Sequence, residues 1–477
     1  GIKPFYYMVV DNKFYFASEV KALLPFLGEI KEDMDGIGEY LIFQYPITDS
    51  TMFKNVKQLM PGNLLTINNG RINISKYWDL DYSEKLTMDK EQCKIHLQKL
   101  FKNSIEKHLK SDVPIGSYIS GGIDSGLVTI MANNKKKLHS TYHGRFTDYQ
   151  GFDESKYAKI IEEQNELRLN IMDITAGDFT KYIKDVIYHL DYPIVGPGSF
   201  PQFMVSKLVG ENVKVVLGGQ GGDEIFCGYT RYLMPYLEVL LEKSIDGDYD
   251  EFKIFLSKMG ILKEYKPMLK MFFSNGMFEN LTDRYFKLID RSGILENVIN
   301  WNVIDKKGIK KKYEEKFNNP HIPKTDFFNK MLDFDLKHSL PALLHVEDRM
   351  SMAWGVESRV PILDNKIIEY SAKIPEDLKV NKGDMKGLLK NIFKTELPEE
   401  IINRRDKMGF PVPLNNWFNN ELRDFIIGLV KKLQARNLDY LHLDETFITE
   451  LKNSTKFSRK IWILISLELW YENYFDL

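Results

Sequence analysis

At 477 residues the chain is too long for one ordinary hydrophobic core, which excludes a small binding module and leads us to expect two domains with a helical subdivision. Its 43% hydrophobic and 28% charged residues are those of a globular protein, and no run of about 18 apolar residues offers a membrane span. A formal net charge of −2 supplies no basic field for nucleic acid, and two cysteines, Cys93 and Cys227, are too few for a disulfide scaffold and wrongly spaced for zinc, so a reducing cytoplasm is the expected setting.

The chain opens Gly1-Ile2-Lys3-Pro4, with no initiator methionine and no charged segment leading into a signal-type apolar run, as expected of a piece cut from something longer. From Phe5 to Trp78, β-rich runs (Phe5 to Val10, Lys13 to Ala17, Asn63 to Ile67, Arg71 to Tyr77) alternate with turn signals at Asp11-Asn12 and Asn68-Asn69-Gly70. The spacing predicts hairpins, not a βα repeat. Asp79 to Asp89 is polar and reads as a crossing between domains. Apolar residues then recur at helical spacing from Lys90 to His108 and lead into a strand over Val113 to Ile119. A second strand is expected at Val213 to Leu217, with helical material and a Pro/Gly-rich loop at Tyr192 to Pro201 between the two. From Met234 onward the pattern is mostly helical, punctuated at Val360-Pro361 and Gly409 to Pro413; the basic stretch Lys306 to Lys312 reads as a solvated face.

Two glycine loops carry the chemistry. Ser120-Gly121-Gly122-Ile123-Asp124-Ser125-Gly126 follows the first strand and opens a helix, so backbone N–H groups, serine hydroxyls and the positive end of a helix dipole are offered to an anion. Phosphate is the expected guest. Gly218-Gly219-Gln220-Gly221-Gly222-Asp223 follows the second strand, and two such loops at the carboxyl ends of neighbouring strands make one crevice. Asp124 and Asp223 would each place one carboxylate on Mg²⁺, the sparse coordination magnesium accepts when phosphate and water complete its octahedron.

The first loop is similar to the pyrophosphate loop of ATP pyrophosphatases and lacks the Lys-Ser/Thr ending of a Walker loop. Within that class the chain resembles the asparagine synthetase family, through Phe16-Ala17-Ser18-Glu19-Val20-Lys21-Ala22-Leu23, Met60-Pro61-Gly62, Leu340-Pro341-Ala342-Leu343-Leu344, Asp348-Arg349-Met350-Ser351-Met352-Ala353, Glu357-Ser358-Arg359-Val360-Pro361-Ile362-Leu363-Asp364 and Lys407-Met408-Gly409-Phe410-Pro411-Val412-Pro413. The resemblance implies an α/β fold: a parallel-sheet synthetase domain of the adenine nucleotide α hydrolase type over 90–477, with a helical C-terminal part. Residues 1–80 would be the β-rich remnant of a class II, N-terminal-nucleophile glutaminase domain. It implies an AMP-forming ligase that adenylates a carboxylate with ATP, releases pyrophosphate and captures the acyl group with ammonia.

On that resemblance Ser120, Gly121, Gly122, Asp124, Ser125, Gly218 and Gly219 hold the nucleotide, and Lys386 matches the family's essential lysine, with Lys382 and Lys390 as the neighbours it must be told from. Arg349, beside Asp348, is expected in the wall of the substrate crevice; Glu357 and Arg359 read as a structural pair. Gln220 occupies a catalytic position where the typical asparagine synthetase has a glutamate that assists proton removal from ammonium, and a neutral amide cannot act as a base. The resemblance makes aspartate the leading substrate; Gln220 counts against it and opens the alternative of another carboxylate, or closure by an internal amine. A non-catalytic nucleotide-binding regulatory partner is the rival of another class, disfavoured by the joint presence of Asp124, Asp223 and Lys386. A class II glutaminase needs an N-terminal cysteine and residue 1 is Gly, so the expectation is use of free ammonia, or of glutamine if an N-terminal glutaminase fragment is supplied. The β-rich segment is expected to expose unpaired strand edges to such a fragment, and a homodimer is the other partner considered.

Overall fold

The computed structural model describes residues 1–476 except 88, 263–264, 275, 324–325, 381–382 and 405–408. Its first element is a hairpin, β1 (Tyr6–Val10) and β2 (Lys13–Ala17), joined through Asp11 and Asn12 at φ of 49° and 59°. Two left-handed residues in sequence are what a type I′ turn needs, and Asp and Asn tolerate that region. The helix α1 (Met34–Phe43) follows, its Asp33 cap accepting from the Gly36 amide at 3.0 Å, and β3 (Lys57–Gln58) pairs with the free side of β1. A second hairpin, β4 (Asn63–Asn68) and β5 (Arg71–Lys76), turns at Asn69 and Gly70, φ 48° and 75°. Every residue of β5 is solvent-exposed, as are Phe16 and Tyr77, 63% and 71% accessible.

The helix α2 (Lys90–His108), held by an Asp89/Gln92 capping box, leads into the second architecture. Its centre is a five-stranded, all-parallel sheet of β6 (Ile115–Tyr118), β7 (Ser140–Arg145), β8 (Leu169–Asp173), β9 (Val215–Leu217) and β10 (Glu357–Arg359), in the spatial order β10-β9-β6-β7-β8. The helices α3 (Ile123–Lys135), α4 (Ser155–Gln164), α5 (Ala176–His189) and α6 (Ser199–Gly210) make the crossovers. Consecutive residues of β9 go to different cores, Val215 and Leu217 to one and Val216 to the other, so both faces of the sheet are covered.

Three of the five strands differ from the sequence reading, which expected only helical material between the first two. β7 reads Ser-Thr-Tyr-His-Gly-Arg and is buried through neighbours rather than through its own apolar run. β8 is an edge strand of mixed polarity, and β10 has three residues. A parallel sheet buried on both faces removes the alternation that would have marked them.

The segment before residue 57 does not stand apart. α1 is buried from Gly36 to Phe43, and a Cβ on Gly36 would lie 1.9 Å from the Thr51 carbonyl oxygen. Phe43 packs edge-on to Phe286, and Phe53 lies 5.2 Å from Trp470 and 5.3 Å from Tyr474 on the helix Arg459–Tyr474. That helix is buried on nearly every side, and one continuous core joins the segment before residue 57 to the C-terminal helices. Among the described residues no helix is long and apolar enough to cross a membrane.

Candidate active site

The order β8-β7-β6-β9-β10 reverses direction between β6 and β9: the chain winds outward one way through β7 and β8, then returns to β6's other side. Crevices open at the carboxyl ends of strands at such a switch. Here the two glycine loops leave β6 and β9 side by side. A crevice of about 490 Å³ lies between them, lined by Ser120, Gly122, Asp124, Ser125, Gly218, Gly219, Gln220 and Asp223.

The loops meet backbone to backbone. A Cβ on Gly219 would come within 2.6 Å of the Ser125 amide nitrogen, and one on Gly222 within 2.3 Å of Asp124 Oδ1. Gly121 has φ +68° and its missing Cβ faces Tyr157, so glycine is required there both by conformation and by space. The first loop is tied by hydroxyls: Ser120 and Ser125 Oγ atoms are 2.9 Å apart, and the Gly122 amide donates to Ser120 Oγ at 3.3 Å. From outside, Arg404 donates to the Gly121 carbonyl at 3.0 Å and forms an ion pair with Glu154. The guanidinium takes the carbonyl side of the turn.

Lys386 closes the arrangement. It stands just before the short helix Gly387–Ile392 at φ +56°, a left-handed position uncommon for a residue with a side chain, and its amide donates to the Cys227 carbonyl at 3.4 Å. Its buried ammonium lies between the two carboxylates, bonded to Asp124 Oδ2 and 2.6 Å from Asp223 Oδ1. Burial alone would lower its pKa; the two carboxylates more than reverse this and hold it above the ordinary lysine value. Close by, burial and then the neighbouring Asp223 push Glu224 up to about 7, against the Tyr229 hydroxyl that donates to it at 2.5 Å.

A protein-family model described as asparagine synthase matches residues 96–472, and one described as a glutamine amidotransferase domain matches residues 1–78. The chain belongs to the asparagine synthase family. As a member of this family it is a ligase-type enzyme of ATP-dependent amidation. It is 29% identical to asparagine synthetase [glutamine-hydrolyzing] 1 of Bacillus subtilis (strain 168), across 99% of this chain and 74% of the relative. To asparagine synthetase [glutamine-hydrolyzing] 3 of the same strain it is 23% identical, across 99% and 75%. To amidase chyE of Penicillium rubens it is 24% identical, across 94% and 71%.

In this asparagine synthase family chain, then, Ser120, Gly121, Gly122, Asp124, Ser125, Gly218, Gly219, Gln220, Asp223 and Lys386 come together. Lys390 turns aside to Asp384 at 2.7 Å; Lys382 lies outside the described residues, as do Lys407 and Met408 of the Lys407 to Pro413 segment. Arg349 is placed elsewhere. It points to the N-terminal segment, donating to the Ser18 carbonyl, 3.4 Å from Asp191 and over the Tyr6 ring, while Asp348 takes Lys3 at 2.6 Å. Neither is among the residues that line the crevice, where Leu343, Val346 and Glu347 of the same helix are found. Arg359 donates to Glu357 at 2.8 Å and to the carbonyls of His108 and Lys110, a clasp between β10 and the end of α2.

Sequence reasoning missed two wall residues. His143 on β7 donates Nδ1–H to the Ile119 carbonyl at 2.8 Å, and burial lowers its pKa. The ring is thus neutral, with Nε2 a buried acceptor. Glu347 is the other. No motif marked either one; the strand that carries His143 was itself unrecognised.

Proposed function

We propose that this chain converts a carboxylate to its amide in two steps at the crevice: adenylation by ATP with loss of pyrophosphate, then capture of the acyl group by ammonia. The observation that carries the reading is the Lys386 ammonium fixed between Asp124 and Asp223 where two glycine loops meet at the switch point. The loop amides and Ser120 and Ser125 hydroxyls would bind departing pyrophosphate. Lys386 would hold its positive charge where negative charge builds, first on the α-phosphoryl oxygens and later on the acyl oxygen.

Asp124 and Asp223 suit a Mg²⁺ ion by the chemistry of their donors: two hard carboxylate oxygens already converge on one cationic centre, the Lys386 ammonium. Among the described residues no group of three or more His, Cys, Asp and Glu could hold a metal, so phosphate oxygens and water would complete the shell. Bound there, magnesium would neutralise charge on the phosphates. Residues 1–80 and 90–477 form, on this reading, the glutaminase remnant and the synthetase unit.

Aspartate is the leading carboxylate, in line with the names of the bacterial relatives. The neutral Gln220 at the crevice, together with the relative named an amidase, favours a second reading in which a different carboxylate is amidated. Carboxylate-dependent exchange of pyrophosphate into ATP, followed by product analysis across a panel of carboxylates, tests both. Lys386→Ala should reduce turnover by about 2–4 kcal/mol of transition-state stabilisation. Absence of exchange with every carboxylate would remove the proposal; exchange without aspartate would leave only the second reading.

A further inference from the structure

Four carboxylates line the crevice among the described residues: Asp124, Glu154, Asp223 and Glu347. Three are committed. Asp124 and Asp223 hold Lys386, and Glu154 holds Arg404. Gln220, on the loop between them, can bind but cannot take a proton. That leaves Glu347, from the helix Leu340–Met352, which is buried beneath the second glycine loop. A Cβ on Gly218 would lie 2.1 Å from Glu347 Oε1, so the missing side chain is the space the carboxylate fills. The Ser358 hydroxyl on β10 donates to the same oxygen, and the Gln220 amide donates to this carboxylate.

We propose that Glu347 is the proton acceptor of the amide-forming step and that Gln220 positions the nucleophile. This rests on the adenylation reading above. A Gln220 amide whose Nε2–H donates to Glu347 keeps its Oε1 as an acceptor, which suits an N–H of incoming ammonia. The ammonia lone pair forms the C–N bond at the acyl carbon, and the bond from that carbon to the adenylyl oxygen breaks, AMP leaving with the electron pair. One N–H proton passes to Glu347 and reaches solvent when product departs. Burial raises the carboxyl's affinity for a proton, against the hydrogen bonds from Ser358 and Gln220, which is the direction a base working near neutrality needs. The charged and titratable groups facing it are Lys3, Asp348 and Tyr118.

The test separates the two half-reactions. Glu347→Gln should lower amide formation from ammonium chloride by about 100-fold or more while carboxylate-dependent pyrophosphate exchange stays within about threefold. With hydroxylamine, whose adduct sheds its proton more readily, the deficit should shrink to under about tenfold. Ser358→Ala keeps the carboxylate but removes a donor to its charged form, so the ascending limb of the amide-forming pH profile should move to higher pH with exchange retained. Amide formation by Glu347→Gln within about threefold of the unsubstituted chain would overturn the assignment. So would a parallel loss of both half-reactions in Glu347→Gln with no movement of the Ser358→Ala limb, since that is the signature of a structural residue. No exchange by the unsubstituted chain would refute adenylation itself.

Discussion

At the level of single residues, the glycines around Lys386 are set by what they face. A Cβ on Gly228 would sit 1.8 Å from Asp223 Oδ1 and 2.4 Å from Lys386 Cε, so Gly228→Ala must displace two charged groups at once. We expect it to cost turnover about 100-fold, near 3 kcal/mol, in the exchange assay. Gly428, inside the helix Arg423–Ala435, has nothing within 4 Å of its missing Cβ, and the same substitution there should stabilise the fold by about 0.5–1 kcal/mol in denaturant titrations. Equal effects from the two would mean that crowding around Lys386 is not what the glycine serves. The sequence made much of this region legible, because Ser-Gly-Gly-x-Asp-Ser after a strand has few uses. It could not show that Glu347 reaches under Gly218, since that contact joins residues from different elements across 129 positions of chain (347 − 218).

Among elements, the two hairpins were readable because turn chemistry is local: Asp11-Asn12 and Asn69-Gly70 each supply the left-handed pair the turn requires. The three unrecognised strands have the opposite character, since β7, β8 and β10 exist through lateral partners and not through a pattern of their own. The same holds for the loop before β3, whose Phe53 sits in a cage of Trp470, Tyr474 and Phe475 with ring centroids 5.2, 5.3 and 6.2 Å away. Truncating a fully buried aromatic in such packing costs about 3–5 kcal/mol. Phe53→Ala should therefore shift the unfolding midpoint of the whole chain, followed by the fluorescence of Trp470. A loss under about 1 kcal/mol would show that the first segment and the last helix are stabilised separately.

Over the whole molecule, the join between the β-rich segment and the sheet domain carries an ionic lock. Asp79 takes Lys337 at 2.5 Å, Lys76 at 2.7 Å and the Leu80 amide at 2.8 Å. Burial would raise its carboxyl, but the two ammonium groups and the amide outweigh it and hold it at about 2. A carboxyl that titrates near 2 when folded and near 4 when unfolded contributes its full stabilisation above pH 4 and loses it as pH falls to 2. Asp79→Asn should cost about 1–2 kcal/mol at pH 7, the difference closing across that window in melts at stepped pH. A pH-independent difference would mean that shape, not charge, makes the lock. The core shared by Phe53 and Trp470 has a further consequence for how the molecule comes into being. Tyr471 donates to Glu32 at 3.1 Å across 439 positions of sequence. During translation α1 emerges long before the helix Arg459–Tyr474 with which it shares a core, so its apolar surface has to wait while the residues between them are made. Nascent chains halted before Arg459 should accordingly engage chaperones, and release into the native state should wait until the helix Arg459–Tyr474 has emerged.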